Sequence, residues 1–185
     1  MRKVAYKFLI GLALVVLCAD SVHAEIEGIQ LQVDGLSCPF CAIGIDKHLK
    51  QQAGLEGIEV HLKQGVTEGK LPPGKGINIG KVRQAVQEAG FTLRGIRLTV
   101  TGTVVREGND FTLISRGDGT RFLLYDAAHA QSELKQGGSL ATLGDNLKAQ
   151  LEKALQAKTP VRIEGDVHEH ADLPPGLLVQ DIELK

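Results

Sequence analysis

The chain has 185 residues, 43% hydrophobic and 23% charged, a composition that excludes wholesale disorder and suits one or two small domains. With 21 Lys+Arg against 22 Asp+Glu the formal net charge is −1, which supplies no field for a phosphate backbone and argues against nucleic-acid binding. Three cysteines are too few for a disulfide framework, so the chemistry depends on which of them survive processing.

Met1 to Lys7 is a short basic segment, and the apolar run Phe8–Ala19 that follows is too short to span a bilayer. Val22-His23-Ala24 places small residues at the −3 and −1 positions of a signal-peptidase site before Glu25. Cys18 reads as part of the apolar run, since Leu17 stands where a lipoprotein signal wants a small residue. The expectation is a signal peptide over 1–24 and an exported, periplasmic-type protein with no membrane attachment after cleavage. Removing Arg2, Lys3, Lys7 and Asp20 leaves 18 bases and 21 acids, a net charge of −3, with two cysteines and no methionine. Loss of the last Met excludes thioether metal sites, and an oxidising compartment permits a disulfide between the two remaining cysteines.

In the mature chain, 26–33 ends in the alternation Ile29, Leu31, Val33 of a half-buried strand, broken by Asp34-Gly35. Ala42, Ile45, Leu49 and Ala53 keep one face of a helix from Pro39 to Ala53, which Gly54 stops. Ile58, Val60 and Leu62 alternate as a second strand, and Gln64-Gly65 turns into a weaker third over Val66–Leu71. Asn78 is placed to cap a second helix with Val82, Ala85, Val86 and Ala89 on one face, ended by Gly90, and Phe91 opens a fourth strand. The order β-α-β-β-α-β is the ferredoxin-like arrangement, over 25–95.

Residues 96–185 read as a second domain. Strands are expected over Leu98–Val104, Phe111–Ile114 and Phe122–Tyr125. A helical stripe through Leu140, Leu143, Leu147, Leu151, Ala154 and Leu155 is ended by Thr159-Pro160, and strands follow over Val161–Val167 and Leu177–Leu184. Three strands, a helix and two strands is the element order of a small OB-like β-barrel, making the whole an α+β chain. With ten Lys/Arg, thirteen Asp/Glu and Phe111, Phe122 and Tyr125 as its aromatics, this half offers no stacking platform for nucleic acid. Its ligand is not legible, and a stabilising or partner-docking role suits it as well.

Cys38-Pro-Phe-Cys41 lies between the first strand and the first helix. Pro39 suits the first helical position, which puts Cys41 in the first turn and Cys38 at its mouth, where free N–H groups and the helix dipole favour thiolate. Two thiolates suit a soft ion of low coordination number, Cu(I) or Hg(II), one per chain. Zn(II) fits less well, because it wants two further ligands and no nearby Cys or His pair supplies them.

Gly35-Leu36-Ser37-Cys38-Pro39-Phe40-Cys41 resembles the Gly-Met-Thr-Cys-x-x-Cys hallmark of the heavy-metal-associated domain, the family of copper chaperones, copper-ATPase amino-terminal repeats and the periplasmic mercury-binding protein. Gln87-Glu-Ala-Gly-Phe91 is similar to the family's Ala-Gly-aromatic after the second helix. The resemblance covers about 26–95 and implies metal ligation by Cys38 and Cys41, carriage rather than catalysis, and a metal-transporting or metal-accepting partner. Leu36 departs from the family's methionine, and Phe91 brings no hydroxyl.

Cys-Pro-Phe-Cys also fits a thiol-disulfide oxidoreductase, the competing reading for an exported chain. A purely structural disulfide is the third reading, one whose short loop removes little chain entropy. His168-Glu-His170, with Asp166 and Asp172, is read as a solvated strand end, and His48, His61 and His129 as surface residues. No catalytic or cofactor-binding residues stand out at a defensible spacing.

Overall fold

A computed structural model describes residues 26–128, 143–169 and 173–185. The expected signal segment lies outside them, as do His129, Leu140, His170 and Asp172. The elements are β1 (Ile26–Asp34), α1 (Pro39–His48, continuing through one π-helical turn Leu49–Ala53), β2 (Glu56–His61), β3 (Val66–Lys70), α2 (Ile79–Glu88), β4 (Thr92–Glu107), β5 (Asp110–Ser115), β6 (Arg121–Asp126), α3 (Asp145–Ala157), β7 (Val161–His168) and β8 (Gly176–Leu184). The chain is thus mixed α/β.

All eight strands join one sheet in the order β2-β3-β1-β4-β5-β6-β8-β7, and β7 returns to pair with β4, closing five strands into a barrel. The β6–β8 pair is parallel and the other pairs are antiparallel. Strands β2, β3 and β1 extend the sheet beyond the barrel, and α1 and α2 pack on each other, α1 also on β2 and α2 on β4.

The sequence suggested one strand opening at Phe91 and another over Leu98–Val104, with a domain boundary between 95 and 96. The structure makes a single 16-residue strand of them, and residues 95 and 96 lie inside it. The alternation Ile96, Leu98, Val100 passes without a turn through Gly102 to Val104, so nothing in the chain stops the strand. From Thr92 to Val100 β4 pairs with β1, and from Gly102 to Glu107 it pairs with β5. Along Arg97–Gly102 its other edge pairs with β7. Ile26, Val100 and Ile163 therefore form one cross-strand row, all essentially buried, and the core beneath the helices runs unbroken into the barrel.

Each helix covers this core where its apolar stripe dictates. Ile45 and Leu49 are buried from α1 and its π turn, and Val82, Ala85 and Val86 from α2. The Asn78 side chain caps α2 by accepting the Lys81 N–H at 2.9 Å. Helix α3 begins at Asp145 with Gly144 as its N-cap, and buries Leu147, Leu151 and Ala154. It ends at Ala157, where Lys158 turns left-handed two residues ahead of Pro160.

Beside the apolar row, Glu27 collects three donors: Thr101 Oγ1 at 2.6 Å, Lys185 Nζ at 2.9 Å and Arg162 Nε at 3.0 Å. One carboxylate thus ties β1 to β4, β7 and the last residue of the chain. Partial burial alone would raise its pKa, but the three bonds outweigh burial and lower it from 4.5 to about 2. The folded value is below the unfolded one, so the cluster stabilises the fold above about pH 4.5 and loses that contribution as pH falls towards 2. Glu27→Gln should lower the urea midpoint at neutral pH and flatten its decline across that window.

Gly102 marks the point where β5 replaces β1 along the edge of β4. A Cβ there would lie 2.3 Å from the Ile114 carbonyl oxygen, backbone that cannot give way cheaply. Gly102→Ala should cost on the order of 1–3 kcal/mol in denaturant unfolding. Gly95→Ala, on the same strand with nothing within 4 Å, is the control and should stay close to the parent.

Candidate metal centre

The loop from β1 to α1 is held from below and from both sides. Leu36 is buried at 6% exposure, anchoring the loop where the family resemblance has methionine. Gly35 has φ +92°, open to glycine at little cost, and a Cβ on it would meet the Phe91 ring at 3.4 Å. Phe91 therefore packs its ring against the loop from the start of β4. On the other side the Val33 N–H donates to the Gly65 carbonyl at 2.7 Å, drawing the β2–β3 turn against the end of β1.

Cys38 is the N-cap of α1, in extended conformation, and Pro39 occupies the first helical position. The Cys38 Sγ accepts the Cys41 N–H at 3.1 Å, filling the place a serine or aspartate oxygen usually takes at an N-cap. No acidic residue lies in the first turn, so no carboxylate competes with sulfur for the positive end of the helix dipole. Lys47 and His48 complement the opposite end. A thiolate at Cys38 is favoured by this N–H and by the dipole together. Cys41 is half-buried and packs against the core.

The two sulfurs are joined as a disulfide, with Cα atoms 5.2 Å apart. Reduction of this bond would leave two thiolates on one helical turn, a donor set for a soft ion of low coordination number. Phe40 and Ile43 flank Cys41 and are 83% and 66% exposed. Both lie off the Ala42, Ile45, Leu49, Ala53 face that the sequence pattern assigns to the core.

The other residues weighed from sequence do not join this pair. His48 Nδ1 lies 3.1 Å from Gln52 Nε2 and 4.0 Å from Glu88 Oε2, at the junction of α1 and α2. His61 Nε2 lies 3.8 Å from Glu68 Oε2 on β3. His168 ends β7, while its expected companions His170 and Asp172 lie outside the described residues. Among the described residues no group of three or more His, Cys, Asp or Glu side chains converges as a metal cluster.

No protein-family model matches the chain, and no curated protein matches it. Among solved structures, it is similar to a copper-binding domain from HMA7, a P-type ATPase, at 22% identity and a TM-score of 0.33. That likeness covers 36% of this chain and 89% of the other.

The capping role of Cys38 makes its own prediction. In a Cys41→Ser background, where no disulfide can form, Cys38→Ser should retain the stability of the parent. Cys38→Ala in the same background should lose about 1 kcal/mol, because the α1 donor is left without an acceptor. Urea unfolding of the pair separates the two.

Proposed function

We propose that this is an exported carrier or scavenger of a soft metal ion, Cu(I) or Hg(II), bound one per chain between the thiolates of Cys38 and Cys41. The observation supporting this most directly is the joint placement of both sulfurs at the N-terminus of α1, with Cys38 already accepting a helix N–H. In this reading the four strands of order β2-β3-β1-β4 and their two helices form a ferredoxin-like, heavy-metal-associated unit, and the closed five-stranded barrel is OB-like. Segment 1–24 directs export and is removed.

Metal is cargo in this scheme. The disulfide must first be reduced by a dithiol donor, which supplies two electrons and two protons and leaves as a disulfide; both cysteines then bind as thiolates and release their protons. Cys38, at the mouth of the helix, meets the incoming ion or donor first, and Cys41 closes the chelate. Delivery reverses the order: thiolates of an accepting protein replace one sulfur at a time, so the ion never leaves sulfur coordination.

The test is anaerobic native mass spectrometry of the reduced, processed protein with Cu(I), Hg(II) and Zn(II) against a chelating competitor. One Cu(I) or Hg(II) should bind, Zn(II) should be lost to the competitor, and the oxidised protein should bind none. Cys38→Ser combined with Cys41→Ser should abolish binding. Stoichiometric binding by that double variant would remove the pair from the site. Steady turnover of a disulfide substrate by a pair that binds no metal tightly would move it to thiol-disulfide exchange.

A further inference from the structure

We infer that His48, Gln52 and Glu88 form a proton-operated latch between α1 and α2, in which protonating His48 turns the Gln52 amide over. The latch sits where α1 leaves α-helical geometry: Leu49–Ala53 is its π turn, and that turn packs against α2. His48 and Gln52 are four residues apart on α1, and Glu88 is the last residue of α2.

The bonding pattern fixes the neutral form. Gln52 Nε2 lies 3.1 Å from His48 Nδ1 and donates to Glu88 Oε2. Gln84 Nε2 donates to the other carboxylate oxygen, Glu88 Oε1, at 2.7 Å. An amide nitrogen donates and cannot accept, so His48 Nδ1 must be the acceptor. The neutral ring therefore carries its proton on Nε2. Gln52 Oε1, at the other corner of the amide, is buried without a hydrogen-bond partner. A buried acceptor left unpaired is destabilising until a donor reaches it.

Protonation supplies that donor. A proton on Nδ1 would face the Gln52 amide donor to donor across 3.1 Å, a contact that cannot persist. Turning the amide exchanges its nitrogen and oxygen, so that Oε1 accepts from Nδ1–H and the nitrogen leaves Glu88. Glu88 Oε2, 4.0 Å from Nδ1, then has the imidazolium as its partner. Bonds from Gln84 and Gln52 hold the Glu88 carboxyl below its ordinary range, so it is ionised where histidines charge, at about pH 5–8. Among the described residues Glu88 is the charged group set against His48 from another element. On α1 itself, Asp46 is paired with Lys50 at 2.8 Å and Lys47 is exposed. The hold of α2 on the π turn thus passes from an amide bridge to an ion pair as pH falls.

Proton–nitrogen NMR of the processed protein, disulfide intact, taken from about pH 8 to about pH 5, tests this. The neutral His48 ring should carry its proton on Nε2, with the Gln52 amide protons in contact with the Glu88 methylenes. As His48 charges, those contacts should be lost and the Gln52 amide resonances should shift along the same curve. In Gln52→Leu the neutral ring should move towards the Nδ1–H form, because its donor is gone and Glu88 faces Nδ1. In His48→Ala the Gln52–Glu88 contacts should persist throughout. A neutral His48 with its proton on Nδ1 overturns the inference, as does a Gln52 amide that keeps its Glu88 contacts while His48 titrates. Loss of those contacts in His48→Ala would assign the change to another group and overturns it equally. Cys38 and Cys41 take no part in these measurements, so the outcome is independent of metal binding there.

Discussion

The structure depends on the continuity of β4. A strand flanked by β1 and β7 over the same residues must satisfy both neighbours in one register, and the buried row Ile26, Val100, Ile163 fixes that register from inside. A slip of one residue would turn Ile96, Leu98 and Val100 outward from the helical layer and Val104 outward from the barrel in the same movement. The two halves consequently share a core and cannot trade register independently. Glu27 repeats the junction in polar form, holding β1, β4 and β7 through one carboxylate.

The cysteine pair obtains its chemistry from the same construction. Strand β1 delivers the chain to the loop, β4 supplies Phe91 against Gly35, and the β2–β3 turn bonds Val33. The loop is therefore fixed at three places, which would reduce the ordering entropy of binding the proposed ion. The sulfur of Cys38 is spared competition because α1 has no acid in its first turn.

Most of the elements were legible in the sequence because their signals are local. Asn78 announced its helix, Gly54 ended another, and the alternating residues of β1, β7 and β8 marked strands. One feature was not legible. The fusion of the fourth strand with the first barrel strand depends on partners far along the chain, β1 for one half and β5 and β7 for the other, and periodicity cannot see partners. The placement of Cys38 and Cys41 at the head of α1 was legible because it needs only a local signal, Pro39 at the first helical position.

The shared strand also sets how the molecule can be held. From Thr92, beside the cysteine loop, to Arg97, where barrel pairing begins, is five residues or about 17 Å of pleated strand. That short span is held by β1 on one edge, with one register shift between Leu93 and Gly95, before β7 joins at Arg97. A protein that gripped the barrel would reach the sulfurs through this one strand, within a limited range of bearing and reach. It would then meet the sulfurs at an effective concentration set by geometry rather than by diffusion, in the manner of a rigid tether. Under the proposed function the barrel would be a handle, and the direction in which it is held would decide what the cysteine pair can touch.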